Sequence, residues 1–228
     1  KSCRRFIVLR LIGSFNKHYK GIFILRVMIL GIECTAHTFG IGIVDKGKIL
    51  ANVKDMYSPV GAGGIVPMDS AKHHREVSEK LYNEALAKAG VSEKQIKAIA
   101  LSNAPGLSPC LIAGMEFACE KAKKLGVKIV PVNHCIAHLE IGRSVGAEDP
   151  VLLYTSGANT QIIAFASGKY RIFGETLDIG VGNFIDKVAR EFGIGFPGGP
   201  RIEEFAKKGK YIELPYSIKG MDVSFSGM

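Results

Sequence analysis

A duplicated α/β fold is what the order of apolar runs and glycine turns predicts for this chain. Three observations carry the prediction. Strand patterns of period two come first and then alternate with helical patterns; the same order of elements returns after residue 150; and a glycine-bearing turn stands near the opening strands of each half. At 228 residues, 47% hydrophobic and 22% charged, the chain has the composition of an ordinary globular protein able to bury a substantial core.

The elements follow in order. Residues 29–33, 39–44 and 49–56 read as strands, the last two joined by a hairpin turn at Asp45-Lys46-Gly47-Lys48, which makes an antiparallel meander. The glycine loop Gly61-Ala62-Gly63-Gly64 leads to a helix over about 69–89, whose Val77, Leu81, Ala85 and Leu86 share a face and which stops at Gly90. His73 and His74 fall in its first turns, where neighbours cannot share a face; solvent-facing or packing roles are expected of them rather than catalysis. A strand (98–102), a helix (111–125), a strand (128–132) and a helix carrying two histidines complete the first half, so the sheet is expected to pass from antiparallel to parallel. The second half brings strands at 151–155, 161–167 and 170–176, then helices at 181–192 and 200–208. This is the outline of an actin-like, sugar-kinase-like ATPase with a cleft between halves. The expected division is residues 1–27 as an N-terminal extension, 28–149 as the first half, and 150–228 as the start of a second half that is cut short.

The formal net charge of +9 invites a nucleic-acid reading, but its distribution weakens it. Residues 1–27 hold seven Lys and Arg and no acid, whereas the remainder carries 23 basic against 21 acidic residues. Met28 stands just before the first clean strand and is the expected natural start; a basic arm for a polyanion and an organellar transit peptide are the rival readings of what precedes it. Five cysteines (Cys3, Cys34, Cys110, Cys119, Cys135) form no C-x-x-C pair and are odd in number, which favours a reducing compartment over a disulfide framework. No apolar stretch reaches the roughly 18 residues of a membrane span, so no membrane partner is expected.

His134 and His138 lie four apart, one above the other on a helix face, and can point two ring nitrogens at one cation. Tyr154, at the end of the strand that follows, is the nearest candidate for a further ligand and leads into Ser156-Gly157-Ala158-Asn159-Thr160, a turn of phosphate-binding type. In the zinc-protease motif a glutamate general base follows the first histidine; here Cys135 takes that place, about 100° around the helix, so a peptidase lacks its base. Asp178 precedes a glycine turn, Asp186 lies in the helix after it, and Gly198 and Gly199 open a helix with Glu203 in its first turn. Glycines let backbone N–H groups approach a phosphate, and carboxylates accept from ribose hydroxyls. The plainer reading makes the Gly-Gly-Pro run a tight turn and Asp186 part of a solvated face beside Lys187 and Arg190.

Taken together, Gly31 to Gly40, the histidine pair, Tyr154 to Gln161, Phe173 to Arg190 and Phe196 to Glu203 resemble the tRNA threonylcarbamoyladenosine transferases, called TsaD or Gcp in bacteria and the catalytic subunit of the KEOPS complex in archaea and eukaryotes. The Ala36-His37-Thr38-Phe39-Gly40 version of the first turn resembles the archaeal and eukaryotic form, and the resemblance runs from Met28 to Met228. It implies an actin-like fold and a cytoplasmic enzyme that moves a threonylcarbamoyl group from its adenylate to the exocyclic nitrogen of the adenosine 3′ of the anticodon. It further implies one iron or zinc on His134, His138 and Tyr154, and ATP or threonylcarbamoyl-AMP as the nucleotide. Ser156, Gly157, Ala158, Asn159 and Thr160 would line the phosphate and substrate turn, and Asp186, Gly199 and Glu203 would hold the adenosine. The implied partners are tRNA and KEOPS-type subunits, including a small kinase or ATPase. Glu33, closing the first strand, is a lesser candidate for a cation or a phosphate-linked water.

Two departures stand against this pattern. Ala158 replaces a second glycine, and its Cβ is expected to crowd a ligand or to forbid a positive φ. The family also draws an aspartate ligand and nucleotide contacts from a C-terminal portion beyond Met228, so the 228-residue chain is expected to be inactive alone. The competing reading is a non-catalytic ATP- or metal-binding scaffold of the actin-like superfamily.

Overall fold

The computed structural model describes residues 27–59 and 64–228. The expected extension 1–27, save its last residue, and most of the Gly61 to Gly64 loop lie outside the described residues. The chain divides into two compact units. One takes the described residues up to Ser58 together with Ile65–Glu148; the other takes Asp149–Met228 with Pro59 and Gly64.

In the first unit, β1 (Met28–Glu33), β2 (Thr38–Asp45) and β3 (Lys48–Met56) form the meander, followed by α1 (Pro67–Ala89), β4 (Ile96–Ala104), α2 (Ser108–Leu125), β5 (Lys128–Asn133) and α3 (His134–Ser144). The sheet runs β3-β2-β1-β4-β5, with β1 to β3 antiparallel and β4 and β5 parallel to β1. The antiparallel turn is a two-residue hairpin whose Lys46 and Gly47 both adopt positive φ, 49° and 78°, as a mirror-image turn requires. The parallel pairings need crossovers, and α1 and α2 supply them. Both helices begin two or three residues earlier than their apolar pattern, because Pro67 and Pro109 sit in their first turns, where a missing N–H costs nothing.

Strand alternation sorts the sheet into two faces. Leu30, Ile32, Phe39, Ile41 and Ile43 pack with Leu81, Tyr82 and Ala85 of α1 and with Phe117 and Ala118 of α2. On the other side, Val44, Ala100 and Val132 gather with Ala137 of α3 and half-buried Ile29. The two helices that precede β4 and β5 thus cover one face, and the histidine helix covers the other. The packing is tight where α2 crosses β1: a Cβ added at Gly114 would lie 2.1 Å from Cys34 Sγ. Cys34, Cys110 and Cys135 are buried and Cys119 is exposed, and none of the four is in a disulfide.

His74 is fully buried and tilts against Phe39 at 5.4 Å between ring centroids, whereas the neighbouring His73 places Nε2 3.0 Å from Asp55 Oδ1. The expected packing and surface roles are divided between them.

The second unit repeats the meander as β6 (Leu152–Thr155), β7 (Thr160–Ala166) and β8 (Lys169–Glu175), all antiparallel, followed by α4 (Val181–Glu191), α5 (Gly198–Ala206) and the short pair β9 (Ile218–Lys219) and β10 (Asp222–Val223). A parallel bridge from Thr176 to Val223 ties that pair to the end of β8. Among the described residues no helix is long and apolar enough to cross a membrane.

Candidate functional site

In the first unit the site is built where β5 runs into α3 without a connecting loop. Asn133 is both the last residue of the strand and the N-cap of the helix, its side-chain oxygen accepting from Ile136 N at 3.1 Å. The next residue is His134, so the strand end fixes the start of the histidine ladder. His134 Nε2 and His138 Nε2 lie 2.9 Å apart. Ligands about 2.0–2.1 Å from one cation stand ~2.9–3.4 Å from each other at right-angled or tetrahedral geometry, so this spacing suits a cis pair on a single ion. Among the described residues no third His, Cys, Asp or Glu joins them in a metal-ligand cluster. Cys135 is buried.

Behind His134 stands Glu33, at the end of β1 and only 2% exposed. Its Oε2 is 3.1 Å from His134 Nδ1, and its Oε1 accepts from Thr35 N at 2.9 Å and from Thr35 Oγ1 at 2.5 Å. Burial works to raise the Glu33 pKa, but nearby His134 and the Thr35 hydrogen bonds outweigh it and hold the carboxyl below its ordinary value. The contact spans 101 residues of sequence, which by itself offers Glu33 only as a lesser candidate for a cation or a phosphate-linked water. A carboxylate closing the first strand of a sheet whose parallel strands deliver a histidine was the signal available.

The second unit holds the other candidates. Tyr154 lies on β6 and is half-buried. The turn after it closes on itself: Ser156 N donates to Asn159 O at 2.9 Å, and Ser156 Oγ both donates to Asn159 O at 2.9 Å and accepts from Asn159 N at 3.0 Å. The start of α4 is stitched to this turn by Val181 N to Thr160 Oγ1 at 2.9 Å, Gly182 N to Ser156 O at 3.0 Å and Asn183 N to Gly157 O at 3.2 Å. The first amides of α4 are therefore spent on the turn, and what the turn can offer an anion is its own exposed backbone at Gly157 and Ala158. Among the described non-glycine residues only Lys46 and Ser167 have positive φ, so Ala158 holds its place in the turn without one.

Asp186, on α4, is half-buried rather than part of a solvated face. Its Oδ1 accepts from Gly198 N, the first residue of α5, at 2.7 Å, and a Cβ at Gly198 would come within 2.4 Å of Ala189 Cβ. This glycine permits the close approach of α4 and α5, whereas Gly199 has open space around it and Glu203 is exposed on α5. Asp178 accepts from Ile179 N at 2.6 Å, from Phe225 N and Ser226 N at 3.1 Å each, and from the Ser224 and Ser226 hydroxyls. Led by the Ser224 hydrogen bond, this cage holds its carboxyl well below the usual carboxylate range.

An antiparallel meander turning into parallel strands, a strand-end histidine pair and glycine turns against a helix start define an α/β protein with candidate cation and nucleotide features. Comparison with known proteins narrows the class. The chain belongs to the TsaD family, whose model, described as tRNA N6-adenosine threonylcarbamoyltransferase, matches residues 47–228. Proteins named tRNA N6-adenosine threonylcarbamoyltransferase from Thermofilum pendens and Thermococcus kodakarensis are 54% and 55% identical over 203 residues, covering 88% and 89% of this chain and 60% and 62% of theirs. A protein of Thermoplasma acidophilum named a probable bifunctional tRNA threonylcarbamoyladenosine biosynthesis protein is 52% identical over 204 residues, 89% of this chain and 38% of its own length. The chain thus spans about 60% of the length of the first of these relatives.

Proposed function

We propose that this chain carries part of the centre of a tRNA threonylcarbamoyladenosine transferase, acting on threonylcarbamoyl-AMP and the adenosine 3′ of the anticodon. The observation that carries the reading is the 2.9 Å separation of the His134 and His138 Nε2 atoms on one face of α3, in a chain of this family. His134, His138 and Tyr154 would hold one divalent cation, iron or zinc. Bound there, such a cation supplies Lewis-acid polarisation of an acyl oxygen. The Ser156 to Thr160 turn would receive the phosphate on the amides of Gly157 and Ala158, with the rigid Ser156–Asn159 pairing keeping them oriented. Asp186 would serve the adenosine with the carboxylate oxygen that is not engaged by Gly198, and Gly199 and Glu203 would flank it. The carbamoyl carbon would then be attacked by the adenine amine, with AMP leaving and no covalent enzyme intermediate required. No side chain in this set is placed to act as a nucleophile.

KEOPS-type partners, including a small kinase, fit a relative whose name is bifunctional and of which this chain matches 38%. The 228-residue chain alone is proposed to be inactive, and its place of action to be the cytoplasm.

The test is transfer of a threonylcarbamoyl group, labelled in its threonine, from threonylcarbamoyl-AMP to tRNA by a form with the length of its relatives, supplied with its partners. Replacing His134 and His138 together by alanine is expected to lower turnover by at least 100-fold. Full turnover in that variant would overturn the role given to the histidine pair, whereas nucleotide binding without any transfer by the parent would leave the scaffold reading.

A further inference from the structure

We propose that Glu33 is a positioning residue that sets the tautomer of His134, keeping the proton on Nδ1 and leaving Nε2 as the nitrogen that faces His138. The inference rests on the cation reading only for its purpose; the proton assignment follows from the hydrogen bonds alone. Thr35 N is an obligatory donor and lies 2.9 Å from Glu33 Oε1, so that oxygen accepts. Thr35 Oγ1 spends its single proton on the same oxygen at 2.5 Å. His134 Nδ1 then faces Glu33 Oε2 at 3.1 Å and the lone pairs of Thr35 Oγ1 at 3.5 Å. Both neighbours accept, so Nδ1 is the donor. At the other end of the ring, two Nε2 atoms 2.9 Å apart share one proton between them, which with His134 in this form belongs to His138. A cation entering displaces that one proton and meets a His134 nitrogen already bare. Carboxylates and carbonyls behind a ligating imidazole commonly play this part, and losing one costs about 10–100-fold in metal affinity.

The asymmetry of the Glu33 carboxylate makes Glu33→Gln a sharp test although the two side chains have the same shape. With two donors from Thr35 fixed on one side, the amide must turn its oxygen to Thr35 and its NH2 group to His134 Nδ1. Nδ1 then has to accept, and the proton moves to Nε2, where it blocks the cation. The experiment uses the 228-residue chain labelled with 15N-histidine, free of metal, at pH 8.5. Long-range 15N–1H spectra are expected to show His134 as the Nδ1–H form in the parent and the Nε2–H form in Glu33→Gln, while Glu33→Asp, which keeps a carboxylate, retains Nδ1–H. Titration with Zn2+ is expected to be 10–100-fold weaker for Glu33→Gln than for the parent.

An Nε2–H signal for His134 in the parent overturns the assignment with no variant needed, as does a Glu33→Gln spectrum that matches the parent. Equal Zn2+ affinities with inverted tautomers would show that the proton does not govern the metal and would overturn the positioning role. If the parent binds no Zn2+ while its Nδ1–H tautomer and the Glu33→Gln inversion are seen, the tautomer assignment stands and the cation reading of the histidine pair fails.

Discussion

At the residue scale the molecule separates three histidines that look alike in sequence. His134 is held by a carboxylate, His73 pairs with Asp55 at 3.0 Å, and His74 is fully buried against Phe39. Burial, aided by neighbouring His73 and opposed by Glu33 and by backbone groups of Ala36 and Cys34, pulls the His74 pKa from its usual 6.5 down to about 4. Above pH 6.5 the ring is neutral folded or unfolded, and it adds no pH dependence. Below that, the unfolded chain takes up a proton that the fold refuses, so stability falls as the pH drops from 6.5 towards 4, by at most about 3 kcal/mol. Urea unfolding at pH 7.5 and 4.5 is expected to show this loss, and His74→Phe to remove most of it. Equal stability at the two pH values in the parent would refute the assignment. The i, i+4 ladder of His134 and His138 was legible in the sequence because helix geometry alone places them together. Glu33 was not, because its contact depends on how β1, β4 and β5 line up across 101 residues.

Elements were legible wherever the pattern was local. Hydrophobic alternation and the Lys46-Gly47 turn placed the meander, and Gly90, at φ 65°, ended α1 where expected. The apolar pattern alone starts both helices late, although Pro67 and Pro109 sit in their first turns and proline there is a helix-start signal. The Asp186 to Gly198 bond was illegible for a different reason: it records the packing of α4 on α5, and the sequence shows only a glycine pair. At Gly180 the packing is tighter still. A Cβ there would lie 2.6 Å from both Asn159 N and Gly157 O and 2.7 Å from Ser156 O, all backbone atoms that cannot swing aside. Gly180→Ala is expected to destabilise the second unit by about 1–3 kcal/mol and to open the Ser156 turn, read out as a lower melting temperature and lost amide protection at Asn159. An unchanged melt would mean that the turn and α4 are less tightly joined than their hydrogen bonds indicate.

At the scale of the whole molecule, burial is unequally shared. The main core, from Leu30 and Ile32 through Tyr82 to Phe117, belongs to the first unit, and in the second only Ile163 and Ala189 among the described apolar residues are buried. Meanwhile Leu153, Ile172, Phe192, Phe205, Tyr211 and Tyr216 are exposed. Hydrogen exchange is expected to protect β1, β4 and β5 at least 100-fold more than β6 to β8, since local opening costs least where few apolar contacts are lost. Uniform protection would contradict that ranking. The duplicated α/β plan was legible from element order, but this inequality was not, because alternation shows which side of a strand is apolar and not whether anything covers it. The thiols turn the same inequality into a tool. Cys34, whose pKa burial pushes up to about 12, lies with Cys110 and Cys135 inside the better-packed unit, and Cys119 stands alone on its surface. An alkylating dye added to the native protein would mark α2 at Cys119, and each further label on these four sites would time an opening of the core, so the protein carries its own reporter of how often its first unit comes apart.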